Sequence, residues 1–248
     1  MTAIVGVLCR DGAVIGADSS ATFSDGSFRT IEQPTEKLSV ISDRVIVAGT
    51  GSVGLGQRFE RIARTAYEKK IFRDSNHIEV GKHLSREAIQ DFSSTGVKMG
   101  QYGALVGFPI GNQPFLCELA VADFQPEFKD KGIWYGSMGS GQPITDPFLA
   151  LMRSVFWTNG LPSVQDATFA VTWALDHAIE VNPGGINGPI RVAVLEQDPK
   201  HKNKVIARML EDSELQEHKD NIEGAKDVLR DYASAQRSSE NAPDVPSP

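Results

Sequence analysis

A threonine directly behind the initiator methionine, an aspartate at position 18, a lysine at position 37 and a Gly49-Thr50-Gly51 corner could do chemistry together. Thr2 is the unusual member. If Met1 is removed, Thr2 carries a hydroxyl and a free α-amine on one residue, so nucleophile and base come together. Asp11-Gly12, between the β-prone run that Thr2 opens, through Leu8, and the run 13–17, is a hairpin signal. Such a hairpin returns the chain to Asp18 beside Thr2. Lys37, alone, reads as a surface lysine at a strand start. The glycines at 49 and 51 provide backbone that can approach another group closely and donate its amides. Thr2, Asp18, Lys37 and the Gly49–Gly51 turn all sit at ends of short strands, which antiparallel pairing can bring side by side.

Other chemistries fit less well. Gly49-Thr-Gly-Ser-Val-Gly54 matches the dinucleotide GxGxxG pattern, follows a strand and opens a helix. A dinucleotide fold, however, needs a parallel strand after that helix, ending in an acid for the ribose. Here a second helix follows, and Asp74 lies between the two. The five histidines do not pair into a metal pattern, and HExxH and GxSxG are absent. Ser140, between two glycines, has no His and Asp partners in its sequence context. Cys9 and Cys117 lie in apolar strand-like runs and read as reduced core residues. No metal or cofactor is expected.

The elements that must position these residues follow from the pattern. The chain has 248 residues, 40% hydrophobic and 23% charged, which suits one large domain with an appendage. A formal net charge of −7 argues against a nucleic-acid partner. No apolar stretch is long enough for a membrane span and no signal peptide opens the chain, so a cytoplasmic protein is expected. Residues 19–36 read as an irregular, turn-rich excursion. Strands are expected at 37–41 and 44–48, and helices to about residue 70 and over 78–94. A hairpin of 102–108 with 114–124 follows, then a strand at 132–135 and a glycine-rich corner at 136–141. Helices at 145–158 and 163–181 and strands at 190–195 and 205–210 complete the order. Strands, two helices, strands, two helices, strands suits an α+β, four-layer αββα sandwich of two mostly antiparallel sheets. The domain is expected over 1–211, a charged helix over 212–236 and a disordered tail over 237–248. That helix reads as solvated; docking on a neighbouring subunit is the alternative.

Over about the first 210 residues the sequence resembles proteasome β subunits of the N-terminal-nucleophile hydrolase class. The resemblance rests on Thr2-x-x-Val5-Gly6, Asp11-Gly12-x-Val14-x-x-x-Ala17-Asp18, Glu36-Lys37-Leu38, Ala48-Gly49-Thr50-Gly51 and Gly139-Ser140-Gly141-Gln142. Within the class the simple-ring proteasome homologue of proteobacteria is most similar. The resemblance implies roles. Thr2 would be the nucleophile through Oγ, Lys37 would lower its pKa or take its proton, and Asp18 would orient and charge-pair with Lys37. The Gly51 amide would serve the oxyanion hole, and Ser140 would hydrogen-bond the terminal amine. Ala21, Gly49 and Val53 would line the pocket for the residue before the cleaved bond. Two departures stand out: the family aspartate supporting the threonine aligns with Glu180, and a family serine aligns with Pro183.

The resemblance therefore implies a threonine endopeptidase acting on peptides or unfolded protein, in a homo-oligomer of stacked rings. It specifies neither ring size nor any regulatory ATPase. Two rivals are an amidase for small substrates on the same fold and a catalytically weak ring scaffold.

Overall fold

The computed structural model describes residues 1–24, 29–182, 184–201 and 203–237. The chain divides into two units, Met1–Leu210 and Glu211–Pro248.

The first unit is built on two five-stranded antiparallel sheets. β1 (Ile4–Leu8) and β2 (Ala13–Ala17) pair with Ile4 opposite Ala17 and Leu8 opposite Ala13, around the Asp11-Gly12 turn. β10 (Tyr135–Met138) flanks β1, while β11 (Arg191–Gln197) and β12 (Val205–Met209) extend the sheet beyond β2. The second sheet runs β5 (Leu38–Ile41), β6 (Val45–Gly51), β7 (Tyr102–Ile110), β8 (Gln113–Leu119), β9 (Pro126–Phe128).

The sheets pack face to face. Ile4, Ala13, Ile15 and Ala17 from the first meet Leu38, Ile46, Ala48, Leu105 and Leu116 from the second. Because β1 and β2 are covered on both faces, they read as near-continuous apolar runs, not as an alternation. On the outer side of the second sheet lie α1 (Val53–Glu68), α2 (Ile71–Asp74) and α3 (His77–Ser94). Leu55, Phe59, Ala63 and Ala66 recur at helical spacing and form the buried stripe of α1. Phe59 meets Phe124 edge to face with ring centroids 5.5 Å apart. Burying one such aromatic is worth about 3 kcal/mol. On the first sheet lie α4 (Gln142–Phe156) and α5 (Val164–Val181). The Ser163 side chain caps α5 in a reciprocal box with Asp166. The result is the αββα sandwich.

Four local expectations need correction. Among the described residues of 19–36, β3 (Ser20–Ser24) and β4 (Arg29–Pro34) pair as a two-stranded antiparallel sheet of their own, in place of the irregular excursion expected. Apolar Phe23 and Ile31 stand opposite each other and are exposed, so no buried face imposed an apolar alternation on the sequence. The strand expected at 132–135 lies instead at Tyr135–Met138, because Gly136 and Ser137 pair with Gly6 and Val5. β8 ends at Leu119, a turn follows and β9 adds an edge strand. The short α2 fills the link between α1 and α3.

In the second unit, α6 (Asp212–Arg237) is a long helix with its own ion pairs, Lys226–Glu223 at 2.7 Å and Arg230–Asp227 at 2.5 Å. The tail expected at 237–248 lies outside the described residues except for Arg237.

Candidate active site

The β1–β2 register does the first part of the positioning. With Ile4 opposite Ala17, the backbone of Asp18 donates to the Ala3 carbonyl at 3.1 Å, and its side chain accepts from the Ala3 amide at 2.8 Å. Asp18 is fully buried. It also accepts from the Ser20 amide at 3.2 Å and from Lys37 Nζ, which stands 2.8 Å from each carboxylate oxygen.

Lys37 precedes β5, and its carbonyl accepts from the Gly49 amide at 3.1 Å, which ties it to the end of β6. Its side chain is 7% exposed. Burial pulls the ammonium below the ordinary lysine value; the Asp18 carboxylate, and more weakly Glu32, oppose that pull. Its third donor goes to the Met1 carbonyl at 2.8 Å.

Thr2 sits where these groups meet. Its Oγ1 donates to the Met1 carbonyl at 2.8 Å, and its backbone amide donates to Ser140 Oγ at 3.0 Å. Ser140 reaches it because Ile4 pairs with Met138, so the chain leaving β10 passes Thr2. The Gly141 amide donates to the Thr2 carbonyl at 3.0 Å. The turn is tight: Gly139 has φ +93°, and a Cβ there would stand 2.4 Å from the Thr2 carbonyl oxygen. Only glycine fits both constraints.

A cavity of about 1230 Å³ opens at Thr2 and Lys37 and is lined further by Ala21, Gly49, Gly51 and Val53. Five of the residues singled out from sequence for catalysis or binding thus border one cavity with Lys37, while Asp18 and Ser140 stand behind it in contact with Lys37 and Thr2. Gly51 ends β6 with φ +110°. Glu180 is different. It is exposed near the end of α5, and its side chain makes no hydrogen bond or ion pair with any described residue, Thr2 included. Pro183 lies outside the described residues. The neighbouring Gly185 does reach the site: a Cβ there would stand 3.1 Å from the Met1 side chain.

Two residues went unread in the sequence. Glu32, in β4, accepts from Ser20 Oγ and Asn187 Nδ2, tying the β3–β4 hairpin to the segment that follows α5. Tyr102, at the start of β7, lines the cavity beneath Gly49. A lone glutamate in a polar stretch and a tyrosine opening a strand carry no local signal. Among the described residues no group of three or more His, Cys, Asp or Glu side chains could hold a metal ion, and no helix is long and apolar enough to cross a membrane.

Residues 2–149 match the model of the proteasome subunit family. The chain belongs to the proteasome subunit family. The matched region carries Thr2, Asp18, Lys37, Gly51 and Ser140. Among curated proteins this family member is 31% identical over 144 residues to proteasome subunit beta 1 of Thermococcus sibiricus, 56% of this chain and 63% of that one. It is 27% identical over 118 residues to the proteasome subunit beta of Nanoarchaeum equitans, 46% of this chain and 57% of the relative. The proteasome-family chain therefore spans about three fifths of these relatives' length. Its fold matches an Anbu (Gly-1) mutant from Hyphomicrobium sp. strain MC1 with a TM-score of 0.72, covering 96% of this chain and all of that one at 14% identity.

Proposed function

We propose that this proteasome-family subunit is a threonine endopeptidase that cleaves peptide bonds through Thr2 once Met1 is removed. Thr2 Oγ attacks the scissile carbonyl, forming an ester as the peptide C–N bond breaks. The hydroxyl proton passes to the freed α-amine or to Lys37, and from there to the departing amine. An unperturbed α-amine titrates near pH 8, so it can carry that proton at neutral pH. A water deprotonated at the same amine then hydrolyses the ester and restores Thr2. Asp18 holds Lys37 in place, Gly51 offers its amide to the oxyanion, and Ser140 holds the amine. An oxyanion donor of that kind is worth about 3 kcal/mol.

The observation that carries this reading is the buried Lys37, held at 2.8 Å by both Asp18 oxygens, with its remaining donor aimed at the point that Thr2 Oγ1 also addresses. A lysine below its ordinary pKa beside a hydroxyl is an activated nucleophile's surrounding. The proposal extends to a homo-oligomer of stacked rings in the cytoplasm, taking peptide or unfolded protein as substrate. A nucleophile that cuts peptide bonds is hazardous in the open, which gives enclosure a physical reason. Glu180 is given no part in it, since its side chain is exposed and pairs with no described residue.

The test is intact mass before and after treatment with a peptide epoxyketone, which closes a ring through both hydroxyl and amine of a terminal threonine. Loss of Met1 and one adduct per chain, absent in Thr2→Ala, is expected. Met1 retained with no adduct would support the scaffold rival. Met1 lost with no adduct, in a particle no larger than a tetramer, would support the amidase.

A further inference from the structure

Tyr102 is 5% exposed, and its ring is packed among Phe59, Phe92 and Phe124, with centroids 5.8 to 6.1 Å away. Its hydroxyl end leaves that cluster between β6 and α1. A Cβ on Gly49 would lie 2.1 Å from the hydroxyl oxygen, and one on Gly56 would lie 3.8 Å from it. The two glycines thus leave the phenol standing at the wall of the cavity that holds Thr2. This hydroxyl makes no hydrogen bond with any described residue, and its oxygen is not sealed from solvent but accessible at the cavity wall. An accessible hydroxyl with no protein partner keeps its hydrogen-bonding sites for whatever enters the cavity. Burial, reinforced by Glu60, pushes the phenol's pKa up, so it stays neutral, with one donor and two acceptor sites.

The charges around it have one sign to spare. Glu36 and Glu60 line the same cavity, but Glu60 is paired with Arg64, so the charge to spare is that of Glu36. Arg64 lines it too, but its guanidinium is engaged with Glu60 at 2.6 Å, and Lys37 is engaged with Asp18. Arg191, also in the lining, already has an interaction of its own.

Building on the proposed peptidase function, we propose that Tyr102 determines specificity. Its hydroxyl forms the floor of the pocket beneath Gly49 and selects, on the acyl side of the cleaved bond, a long unbranched side chain ending in N–H donors. Lysine, arginine and glutamine meet that description. Each presents N–H groups to the phenol oxygen at the end of an apolar stem that the walls at Ala21 and Val53 accommodate.

The experiment compares three fluorogenic peptides that differ only at that residue (lysine, glutamine or norleucine), alongside labelling by a norleucine epoxyketone. Norleucine keeps the apolar stem and lacks the donor. Wild type should prefer both lysine and glutamine over norleucine by at least about tenfold in kcat/KM, the worth of one modest hydrogen bond. Tyr102→Phe should lower both ratios about tenfold. Equal or better cleavage of the norleucine peptide by wild type would overturn the proposal, and this needs no variant to fold. A preference for lysine alone, or ratios that Tyr102→Phe leaves in place, would assign selection to Glu36 and overturn the role of Tyr102. No epoxyketone adduct and no cleavage of any peptide would overturn the peptidase function itself.

Discussion

Replacing Asp18 with asparagine tests the centre of the site without reference to catalysis. Asparagine keeps the size of the side chain and removes its charge. Lys37, with a side chain 7% exposed, would then be a buried ammonium with no counter-ion. Breaking a buried pair in this way costs about 3–5 kcal/mol. The cost has a ceiling, because the lysine can shed its proton instead. From an ordinary value of 10.5, deprotonation at pH 7 costs about 4.8 kcal/mol, and at pH 9 about 2 kcal/mol. The sign follows from linkage. Lys37 has a folded pKa below its unfolded value, so the unfolded state binds more protons and stability rises with pH through that window. Asp18→Asn lowers the folded pKa further and opens the window at lower pH. The destabilisation should therefore be largest at or below pH 7 and shrink by up to about 1.4 kcal/mol per pH unit above it. Urea unfolding of both proteins at one protein concentration, at pH 7, 8 and 9, measures this. A loss under about 1 kcal/mol at pH 7, or one that stays constant to pH 9, would refute the argument that Asp18 neutralises a buried charge.

The same lowered lysine pKa gives a kinetic expectation: epoxyketone labelling should speed up as pH rises from 6 and level off below the ordinary lysine value, with Lys37→Arg abolishing both labelling and rise. Gly139→Ala forces a side chain to φ +93° and into the Thr2 carbonyl, so it should cost about 1–3 kcal/mol in urea unfolding and slow labelling at least about tenfold. Ser163→Ala removes a capping box far from the cavity and should cost about 1 kcal/mol in thermal unfolding while the labelling rate holds. Phe59→Ala empties a fully buried aromatic site between α1 and the second sheet and should cost about 3–5 kcal/mol.

What could be read in the sequence was whatever local pattern determines. The Asp11-Gly12 hairpin, the helical stripe from Leu55 to Ala66 and the placement of Asp18 beside Thr2 all depend on residues within twenty positions of one another. Ser140 lies 138 residues from Thr2 and was readable only through the order of several motifs together. Tyr102 escaped because its place under Gly49 depends on the pairing of β6 with β7, which brings Gly51 opposite Tyr102. The β3–β4 hairpin escaped for the opposite reason. Its apolar Phe23 and Ile31 are exposed, so its sequence carries no alternation, and its geometry comes from partners elsewhere: Glu32 binds Asn187, and the Ser19 amide donates to the Asn187 carbonyl. Glu180 misled because alignment by spacing assumes that one added methylene keeps its direction; on α5 it leaves the carboxylate exposed.

The role of Met1 follows from counting donors. Lys37 has three N–H groups; two are held by Asp18 and the third by the Met1 carbonyl, which also accepts from Thr2 Oγ1. With Met1 in place every strong donor at the site is satisfied, and Thr2 Oγ1 points its proton away from any base. The loss of Met1 removes one acceptor shared by two groups. It leaves an ammonium donor and a hydroxyl facing the same vacated point, and a new amine within 3.0 Å of Ser140 Oγ. A buried donor left without a partner is costly, and the nearest oxygen able to take it is that of Thr2. Under the proposed function the free energy of resatisfying Lys37 is then what turns Thr2 Oγ toward it. A chain in which Met1 stays should accordingly hold Lys37 as firmly as the trimmed one and yet give no adduct, because satisfying the lysine and activating the threonine compete for one donor.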